Sequence, residues 1–370
     1  MKNETFKSGF VAIIGRPNAG KSTMLNALLG NKISIVSPVP QTTRHRIKGI
    51  LNLKNAQIVF VDTPGIHSFS DSLSTQLNAV ARESIEGCDL LIYVVDTSRV
   101  FGKEESEIMN FVAGQKIKVI MVLNKIDLGK KYLNEYIACW QGLLKEKNIK
   151  QDPVVSYLPI SAKAGININT LLEVLLENIP EQIPFYDTGT MTDFPLKFRI
   201  ADIVREKLFL LLKNELPHSL AVELEAIRDM EGKIKEKGKA RRKIKFLEED
   251  EREGGEDDFE KDSEDNEAEY GDEYIQGKPD FLSAVSVPGN QLKKSGFIYI
   301  KVNIYVNRDS QKKIIIGEGG KLLKEIGSLA RQEIEKIFNK KVYLDIWVVV
   351  VKDWQDRPRI LKQLGYRLEQ

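Results

Sequence analysis

The segment GFVAIIGRPNAGKSTMLNALL, residues 9–29, decides the fold of the first half of this 370-residue chain. Its apolar run GFVAII predicts a buried strand, and KSTMLNALL predicts a helix that begins directly after a glycine-rich turn. The turn matches the pattern G-x-x-x-x-G-K-[ST] and lies between strand and helix, where this pattern binds phosphate. Its glycines allow the backbone to curl around the anion and to present N–H groups to it. We therefore expect a nucleotide phosphate site in this turn.

Apolar runs and amphipathic stretches continue to alternate as far as residue 180. Strands are predicted at QIVFVD, DLLIYVVD, KVIMVL and VVSYLPI, and a last helix at INTLLEVLLENI. Strands that alternate with helices favour a mostly parallel sheet covered by helices on both faces. The predicted fold class is therefore α/β, with a three-layer nucleotide-binding domain over residues 1–180.

A different pattern follows a proline-rich stretch, which predicts an interdomain linker at 181–193. Helix ADIVREKLFLLLKN and strand SLAVELEAI come first, and strand FIYIKVNIYV, helix LLKEIGSLARQEIEKIF and strand VYLDIWVVVV come later. Alternating apolar residues mark half-buried strands, so residues 194–352 predict a small α+β domain. Residues 353–370 are predicted to be a C-terminal tail.

The second domain is interrupted at about 229–293. Within this stretch, residues 248–273 hold 16 Asp and Glu against two basic residues, a net charge of −14, so the rest of the chain carries +16. A segment with so few apolar residues cannot offset its ordering entropy, and we expect it to be disordered. The basic remainder suits a polyanionic partner or, alternatively, ordinary solvated helices.

Three groups of residues predict how the phosphates and a metal ion are held. Lys21 is expected to reach the β- and γ-phosphates, and Ser22 to bind Mg²⁺. Asp62 ends a strand at the same sheet edge and is expected to hold the metal through a water, while the Gly65 N–H senses the γ-phosphate. In the loop QTTRH, Thr43 rather than Thr42 is expected to close on Mg²⁺ when the γ-phosphate is present.

Two later motifs predict that the base is guanine. The carboxylate of Asp127, in the motif Asn124-Lys125-Ile126-Asp127, suits the two donors N1–H and N2–H₂ of guanine, which adenine lacks. The motif Ser161-Ala162-Lys163 is expected to supply a backbone N–H to guanine O6. These motifs together predict hydrolysis of GTP, with Lys21, Thr43 and Gly65 as the catalytic residues.

The predicted nucleotide-binding residues are Gly15, Arg16, Pro17, Asn18, Ala19, Gly20, Lys21, Ser22, Thr23, Thr42, Thr43, Asp62, Thr63, Pro64, Gly65, Ile66, Asn124, Lys125, Asp127, Ser161, Ala162 and Lys163. The predicted metal ligands among them are Ser22, Thr43 and Asp62. Position 66 holds isoleucine, which cannot orient the attacking water, so slow intrinsic turnover is expected and the neighbouring His67 is a weak candidate base. Charge stabilisation by K⁺ on the Asn18 oxygen is an open alternative to a merely loop-shaping Asn18.

Composition limits the remaining possibilities. Hydrophobic residues form 42% of the chain and charged residues 29%, which is typical of globular domains. The two cysteines, Cys88 and Cys139, lack metal-ligand spacing and predict a reducing compartment. No apolar stretch is long enough for a signal peptide or a membrane span, so a cytoplasmic protein is expected.

The motifs GRPNAGKST, QTTRHRIKGI, DTPGIH, NKID and SAK resemble those of the Era family of bacterial GTPases. QKKIIIGEGGKLLKEIG is similar to the core of that family's KH domain, a small RNA-binding fold, and LGYR resembles the family's C-terminal end. The implied fold is a P-loop GTPase domain followed by a type II KH domain. Its implied RNA-binding residues are Ile316, Gly317, Glu318, Gly319, Gly320 and Lys321. Glycines in such a loop let the backbone approach single-stranded RNA, although Glu318 adds an unexpected negative charge.

The resemblance implies a monomeric cytosolic GTPase with GTP/GDP and Mg²⁺ as ligands. It would bind small-subunit (16S) ribosomal RNA near the 3′ end, act in assembly of the 30S subunit, and associate in part with the inner face of the cell membrane. The main alternative is a nucleotide-gated RNA-binding module in which hydrolysis is incidental.

Overall fold

The computed structural model of the protein describes residues 5–66, 72–212, 219–231 and 296–366. The predicted disorder at 229–293 falls almost entirely outside these residues, as do the candidate base His67 and the end of the predicted helix ADIVREKLFLLLKN. In the parts of the chain that are described, no helix is long and apolar enough to cross a bilayer.

A six-stranded sheet organises the first half of the chain. Its strands are β1 (Lys7–Ile14), β2 (Ile47–Asn52), β3 (Ala56–Asp62), β4 (Leu90–Asp96), β5 (Lys118–Asn124) and β6 (Val154–Pro159), in the spatial order β2-β3-β1-β4-β5-β6. Every neighbouring pair is parallel except β2 and β3. The prediction of a mostly parallel sheet is confirmed, whereas β2 was not foreseen within its polar surroundings.

Helices cover both faces of this sheet. They are α1 (Lys21–Leu29), α2 (Ser72–Glu83), α3 (Lys103–Ala113), α4 (Leu133–Glu146) and α5 (Ile168–Asn178). Residues of α1 and α5 share one apolar core with the sheet, and residues of α2, α3 and α4 share the core on the opposite face. The carboxyl ends of β1, β3 and β5 therefore lead into loops at one edge, where ligands of such folds bind.

The second half forms an α+β unit, as predicted. Its strands β7 (Leu220–Glu231), β8 (Gly296–Val306) and β9 (Lys341–Val350) lie in that order, and helices α6 (Leu196–Leu211), α7 (Asp309–Ile316) and α8 (Lys321–Phe338) share its core. Alternate residues of β8 are buried from Ile298 to Val306, which confirms the predicted alternation. Strand β7 continues to Glu231, two residues beyond the predicted start of the interruption.

The segments predicted to be linker and tail are both packed against the rest of the protein. Thr192 bridges to Gly49 in β2, and Ser8 donates a hydrogen bond to the carbonyl of Ile183. In the C-terminal segment, a short helix α9 (Pro358–Gln363) follows the fully buried Trp354. Neither segment hangs free of the two sheets.

Candidate nucleotide and RNA sites

The glycine-rich turn wraps around the ammonium group of Lys21. The Nζ atom donates hydrogen bonds of 3.0 Å to the carbonyls of Gly15 and Arg16, and the side chain is buried. Gly20 has φ of 98°, in the region that favours glycine, and it precedes α1 directly. The lysine is thus placed above an open helix N-terminus, as a phosphate site requires.

Burial lowers the pKa of Lys21 to about 8, and Asp62 and Glu105 oppose this shift. A phosphate that entered the site would restore the charged form by direct attraction. Lys21 is therefore suited to an anion that arrives with its own negative charge.

The three predicted metal ligands meet at one point. Ser22 Oγ lies 2.9 Å from Thr43 Oγ1 and donates a 2.8 Å hydrogen bond to Asp62 Oδ2. Ser34, which the sequence did not suggest, donates another hydrogen bond of 2.8 Å to the same carboxylate oxygen. Two hydroxyls and a carboxylate are hard oxygen ligands of the type that Mg²⁺ prefers.

Asp62 also shows that the site fits a cation. Its Oδ1 atom is buried and has no hydrogen-bond partner among the described residues. Burial raises the pKa of this carboxyl above its ordinary value, because the ionised form loses its hydration and the surrounding protein groups replace it only in part. Mg²⁺ near Ser22, Thr43 and Asp62 would supply that compensation.

The base-recognition motifs are joined to the phosphate loop by Asn124. Its Nδ2 atom donates to the carbonyl of Ala19 at 2.8 Å, and its Oδ1 atom accepts from the N–H of Ala162 at 3.0 Å. Asp127 accepts a hydrogen bond of 2.5 Å from the Ser161 hydroxyl. The Ser161 hydroxyl therefore orients the Asp127 carboxylate, while a backbone N–H of the same motif is the group predicted to reach guanine O6.

Lys125 is fixed from the opposite side. It adopts a left-handed backbone conformation with φ of 68°, and its Nζ atom lies 2.8 Å from Asp96 Oδ2 at the end of β4. The ion pair lowers the pKa of Asp96 even though burial opposes the shift. Lys125 is thereby held along the wall of the cleft.

One cavity of about 510 Å³ joins these groups, a volume suited to a nucleotide. The predicted residues that line it are Pro17, Asn18, Gly20, Lys21, Ser22, Thr23, Thr42, Thr43, Gly65, Asn124, Lys125, Asp127, Ala162 and Lys163. Further lining residues that sequence reasoning missed are Ile35, Val36, Ser37, Pro38, Gln41, Arg99 and Leu128. Ile35, Val36, Ser37 and Pro38 lie on the loop after α1 ahead of the QTTRH motif, where no motif marks them, and Gln41 is the first residue of that motif.

Three of the predicted nucleotide-binding residues, Thr63, Pro64 and Ile66, do not line the cavity with their side chains. Ile66 is 3% exposed and packs in the apolar core with Ile14 and Tyr93, so its side chain points away from the cavity. The Thr63 hydroxyl donates to the carbonyl of Ile13 at 2.8 Å and stabilises the strand end. Pro64 does not line the cavity either, whereas Gly65 packs so closely on Pro17 that a Cβ atom would lie 2.6 Å from its nitrogen.

Arg16 belongs to a buried polar cluster below the phosphate loop. Its Nε lies 3.3 Å from Glu105 of α3, and Glu105 accepts a 2.5 Å hydrogen bond from Tyr93 in β4. The side chain of Arg16 therefore anchors the loop to the fold, and only its backbone is available for the phosphates. Arg16 occupies an unspecified position of the pattern G-x-x-x-x-G-K-[ST], so the pattern offered no reason to expect its ion pair with Glu105.

The loop that carries Thr43 is held by the C-terminal half of the protein. Arg205 of α6 donates a 3.0 Å hydrogen bond to the carbonyl of Thr42, and it pairs with Asp202 at 2.8 Å. Arg44 donates to the carbonyl of Leu220, and His45 lies 2.8 Å from the carbonyl of Leu364. The motif QTTRH thus serves the metal site with one residue and the domain interface with the next two.

The other end of the same loop is tied to α6 and α8. Lys32 lies 2.6 Å from both Glu206 and Glu333, and Glu206 also accepts a hydrogen bond from the N–H of Val36. A residue at each end of the loop is therefore paired across the domain boundary.

The GEGG loop connects α7 and α8. Gly317, Gly319 and Gly320 have φ of 69°, 59° and 78°, all in the left-handed region, and a Cβ atom on Gly319 or Gly320 would meet nothing within 4 Å. Glu318 and Lys321 are exposed, and Ile316 packs in part against the domain core. An open, glycine-rich backbone next to a helix N-terminus is suited to close approach by an RNA backbone.

Comparison with known proteins supports the assignment of both halves of the chain. The family described as "50S ribosome-binding GTPase" matches residues 10–125, and the family described as "KH domain" matches residues 290–355. GTPase Era of Halothermothrix orenii is 35% identical over 364 residues, which covers 98% of this chain and 99% of that protein. GTPase Era of Geobacter metallireducens is 37% identical over 367 residues, with 99% and 100% of the two chains covered.

Two solved structures are similar over nearly the whole chain. One is Era in complex with MgGDPNP and nucleotides 1506–1542 of 16S ribosomal RNA, with a TM-score of 0.74, 34% identity, and coverage of 98% of this chain and 100% of that one. The other is a variant of Aquifex aeolicus Era bound to GDP·AlF₄⁻, with a TM-score of 0.72, 34% identity and the same coverage. With more than a third of residues identical to curated relatives along almost the full length of both chains, the protein is a member of the GTPase Era family.

Proposed function

We propose that this GTPase binds GTP with Mg²⁺ in the cleft at the carboxyl edge of the six-stranded sheet, binds small-subunit ribosomal RNA at the 317–320 loop, and acts in assembly of the 30S subunit. The main support for binding of GTP and Mg²⁺ is that Ser22, Thr43 and Asp62 lie together beside Lys21. Support for the RNA part comes from the open GEGG loop and from the similarity to Era solved with a 16S fragment.

Each group of residues in the cleft has a separate role in the hydrolysis of GTP. Lys21 and the N–H groups of the phosphate loop stabilise negative charge on the transferred phosphoryl group while water attacks in line. Gly65, packed on Pro17, places its N–H at the phosphate loop without a side chain in the way. Mg²⁺ would neutralise charge on the phosphate oxygens near Ser22, Thr43 and Asp62.

The residue directly after the Asp62–Gly65 motif is isoleucine rather than glutamine, and its side chain is buried in the core. The described residues of the cleft thus supply charge stabilisation rather than a base for the attacking water, and turnover of the protein alone should be slow. We expect ribosomal RNA to raise the rate. Turnover unaffected by the RNA would favour the alternative in which hydrolysis is incidental.

Asn18 supports a role for K⁺ as the second cation. Its Nδ2 atom donates a 2.7 Å hydrogen bond to the carbonyl of Pro38, so the amide joins the phosphate loop to the loop that carries Thr43. Because the Nδ2 atom makes this contact, we propose that the Oδ1 atom of the same amide binds a monovalent cation beside the phosphates. Hydrolysis faster in K⁺ than in Na⁺ at equal ionic strength, with the difference lost in Asn18→Ala, is the expected result.

The RNA assignment is tested by Gly320→Asp. The residue has φ of 78° in open space, so aspartate would add backbone strain and a negative charge at the RNA backbone rather than a clash with the fold. Affinity for the 3′ end of 16S RNA should fall while GTP binding persists. RNA binding equal to that of the parent would remove the KH assignment, and crosslinking in cells would then show which RNA, if any, the protein contacts.

For its place in the cell, we propose a cytoplasmic monomer that associates in part with the inner face of the membrane. The support is the family resemblance of the motifs. Cell fractionation with and without high salt, together with sedimentation of the purified protein, tests both parts of this proposal.

A further inference from the structure

The three-stranded sheet has an outer face opposite to α6 and α8, and a cluster of aromatic side chains lies on it. Tyr299 in β8 and Tyr343 in β9 are neighbours in register and stack with ring centroids 5.9 Å apart at an angle of 15°. Trp347, two pleats along β9, is 56% exposed, and Tyr343 is 40% exposed. We call Tyr299, Lys301, Tyr343 and Trp347 the outer aromatic face.

The C-terminal segment covers only part of this side of the sheet. Trp354, Leu361 and Tyr366 pack with Ala221 at the beginning of β7, where they bury one end of the outer surface. Trp347 lies beyond this cover and keeps more than half of its surface exposed, which is unusual for the largest apolar side chain. An exposed cluster of this kind marks an interaction surface more often than chance exposure.

A basic side chain and two carboxylates lie beside these aromatic rings. Lys301 Nζ lies 5.7 Å from the centre of the Trp347 ring, where a cation and an aromatic ring attract each other. Asp345 accepts a 2.9 Å hydrogen bond from Tyr299, and Glu225 pairs with the ammonium group of Lys301 at 2.6 Å. A phosphate would therefore take Lys301 from Glu225, and the exposed Trp347 ring supplies the surface on which a base can stack.

The outer aromatic face and the helix that follows the GEGG loop lie on the two sides of strand β9. Strand β9 is the edge of its sheet and also contacts α8, the helix that begins directly after the GEGG loop. A Cβ atom on Gly327 of α8 would lie 3.4 Å from Ile346, and Trp347 is the next residue, on the opposite face because side chains alternate along a strand. RNA that leaves the GEGG loop and passes over the β9 edge would therefore come to the face that carries Trp347.

We propose that the outer aromatic face is a second RNA subsite, in which an unpaired base stacks on Trp347 and its phosphate lies near Lys301. The proposal rests on RNA binding at the GEGG loop. It extends the groove of about four nucleotides that a KH loop holds to a longer single-stranded segment. Aromatic rings beside a basic group are the usual platform for such segments because every base has a face to stack.

The intrinsic fluorescence of the chain gives a direct test. The protein has three tryptophans, and Trp140 and Trp354 are fully buried, so quenching on contact with RNA reports on Trp347. We would titrate the full-length protein with a four-nucleotide RNA and with one of about ten nucleotides that extends from either end of the same sequence. Only the longer RNA should quench the emission, and Trp347→Phe should remove most of the quenching.

Binding is then measured without fluorescence. Trp347→Ala should bind the longer RNA about tenfold more weakly and the short one unchanged. Lys301→Ala should reduce the salt dependence of binding by about one phosphate contact. Leu210→Ala is the matched control, because Leu210 is 51% exposed on the opposite side of the same domain, and it should bind both RNAs like the parent.

Three outcomes would overturn the proposal. Equal binding of the longer RNA by the parent and Trp347→Ala, without quenching, would remove the subsite but leave the KH assignment intact. No binding of either RNA by the parent would remove both. Quenching by a protein of the small subunit, but not by RNA, would show that the outer aromatic face is a protein interface.

Discussion

The lowered pKa of Lys21 predicts that nucleotide binding takes up a proton. Burial brings the pKa of this ammonium group from 10.5 to about 8 in the empty cleft. At pH 8 half of the molecules would therefore hold a neutral lysine. Phosphates next to Lys21 would return it to the charged form, and the missing proton must then come from the solvent.

The size of the effect follows from the titration curve. Proton uptake per nucleotide should be about 0.1 at pH 7, about 0.5 at pH 8 and about 0.75 at pH 8.5, provided that the bound lysine is fully charged. Calorimetric titration with GDP and Mg²⁺ in buffers of different ionisation enthalpy measures this number. The range stops at pH 8.5 because guanine N1 begins to lose its own proton above it.

Lys21→Met provides the control. It removes the titrating group and leaves any proton release from the nucleotide phosphates, so the difference between parent and variant isolates the lysine. Equal proton uptake by the two proteins at pH 8 would refute the reasoning, because Lys21 would then be charged before the phosphates arrive.

The same shift affects stability without nucleotide. The folded protein holds Lys21 at a pKa of about 8 and the unfolded chain at 10.5, so the unfolded state binds more protons between these values. The free energy of unfolding should therefore rise with pH in this window, by roughly 3 kcal/mol in total. Denaturant unfolding of the nucleotide-free protein at pH 7.5 and pH 9.5, with Lys21→Met as the control, measures the contribution.

Three further changes test other contacts. Asp127→Asn should weaken GTP binding about 10- to 100-fold and favour xanthine nucleotides, and unchanged GTP affinity by titration would show that Asp127 does not contact the base. Ser34→Ala removes a hydrogen bond to Asp62, so we expect severalfold weaker binding of GTP with Mg²⁺ but unchanged binding of GDP in EDTA; equal loss in both would indicate a general change of the loop. Arg205→Met leaves Asp202 buried without its main partner and should cost about 3–5 kcal/mol in denaturant unfolding. Combining it with Asp202→Asn should recover part of that loss, and a purely additive double variant would contradict the pairing.

The sequence predicted those parts of the site in which a residue of suitable chemistry directly follows a predicted strand. Lys21, Ser22 and Asp62 follow strands at one sheet edge, so a local pattern and the parallel topology together place them side by side. The helix and strand order of the second half was predictable for a similar reason, because alternation along β8 reflects a face that is buried by helices.

Contacts between distant segments were not predictable in this way. Ser34 and Glu105 reach the site only through tertiary packing, and nothing in their neighbours marks them. Strand β2 escaped notice because Lys48, Gly49 and Asn52 interrupt its apolar residues. Ile66 was predicted to bind the nucleotide by its place after Gly65, and the packing of its apolar side chain in the core could not be read from that position.

The placement of Arg44 has a consequence for any attempt to separate the two halves of the protein. Arg44 is 1% exposed, and its guanidinium lies within 6.0 Å of the rings of Phe209, Trp354 and Tyr366, all contributed by the C-terminal half. A fragment that ended at residue 180 would return this charge to water and remove the support of the loop that carries Thr43. Nucleotide affinities measured on such a fragment would therefore describe a loop without its anchor, and they should not be assigned to the intact chain.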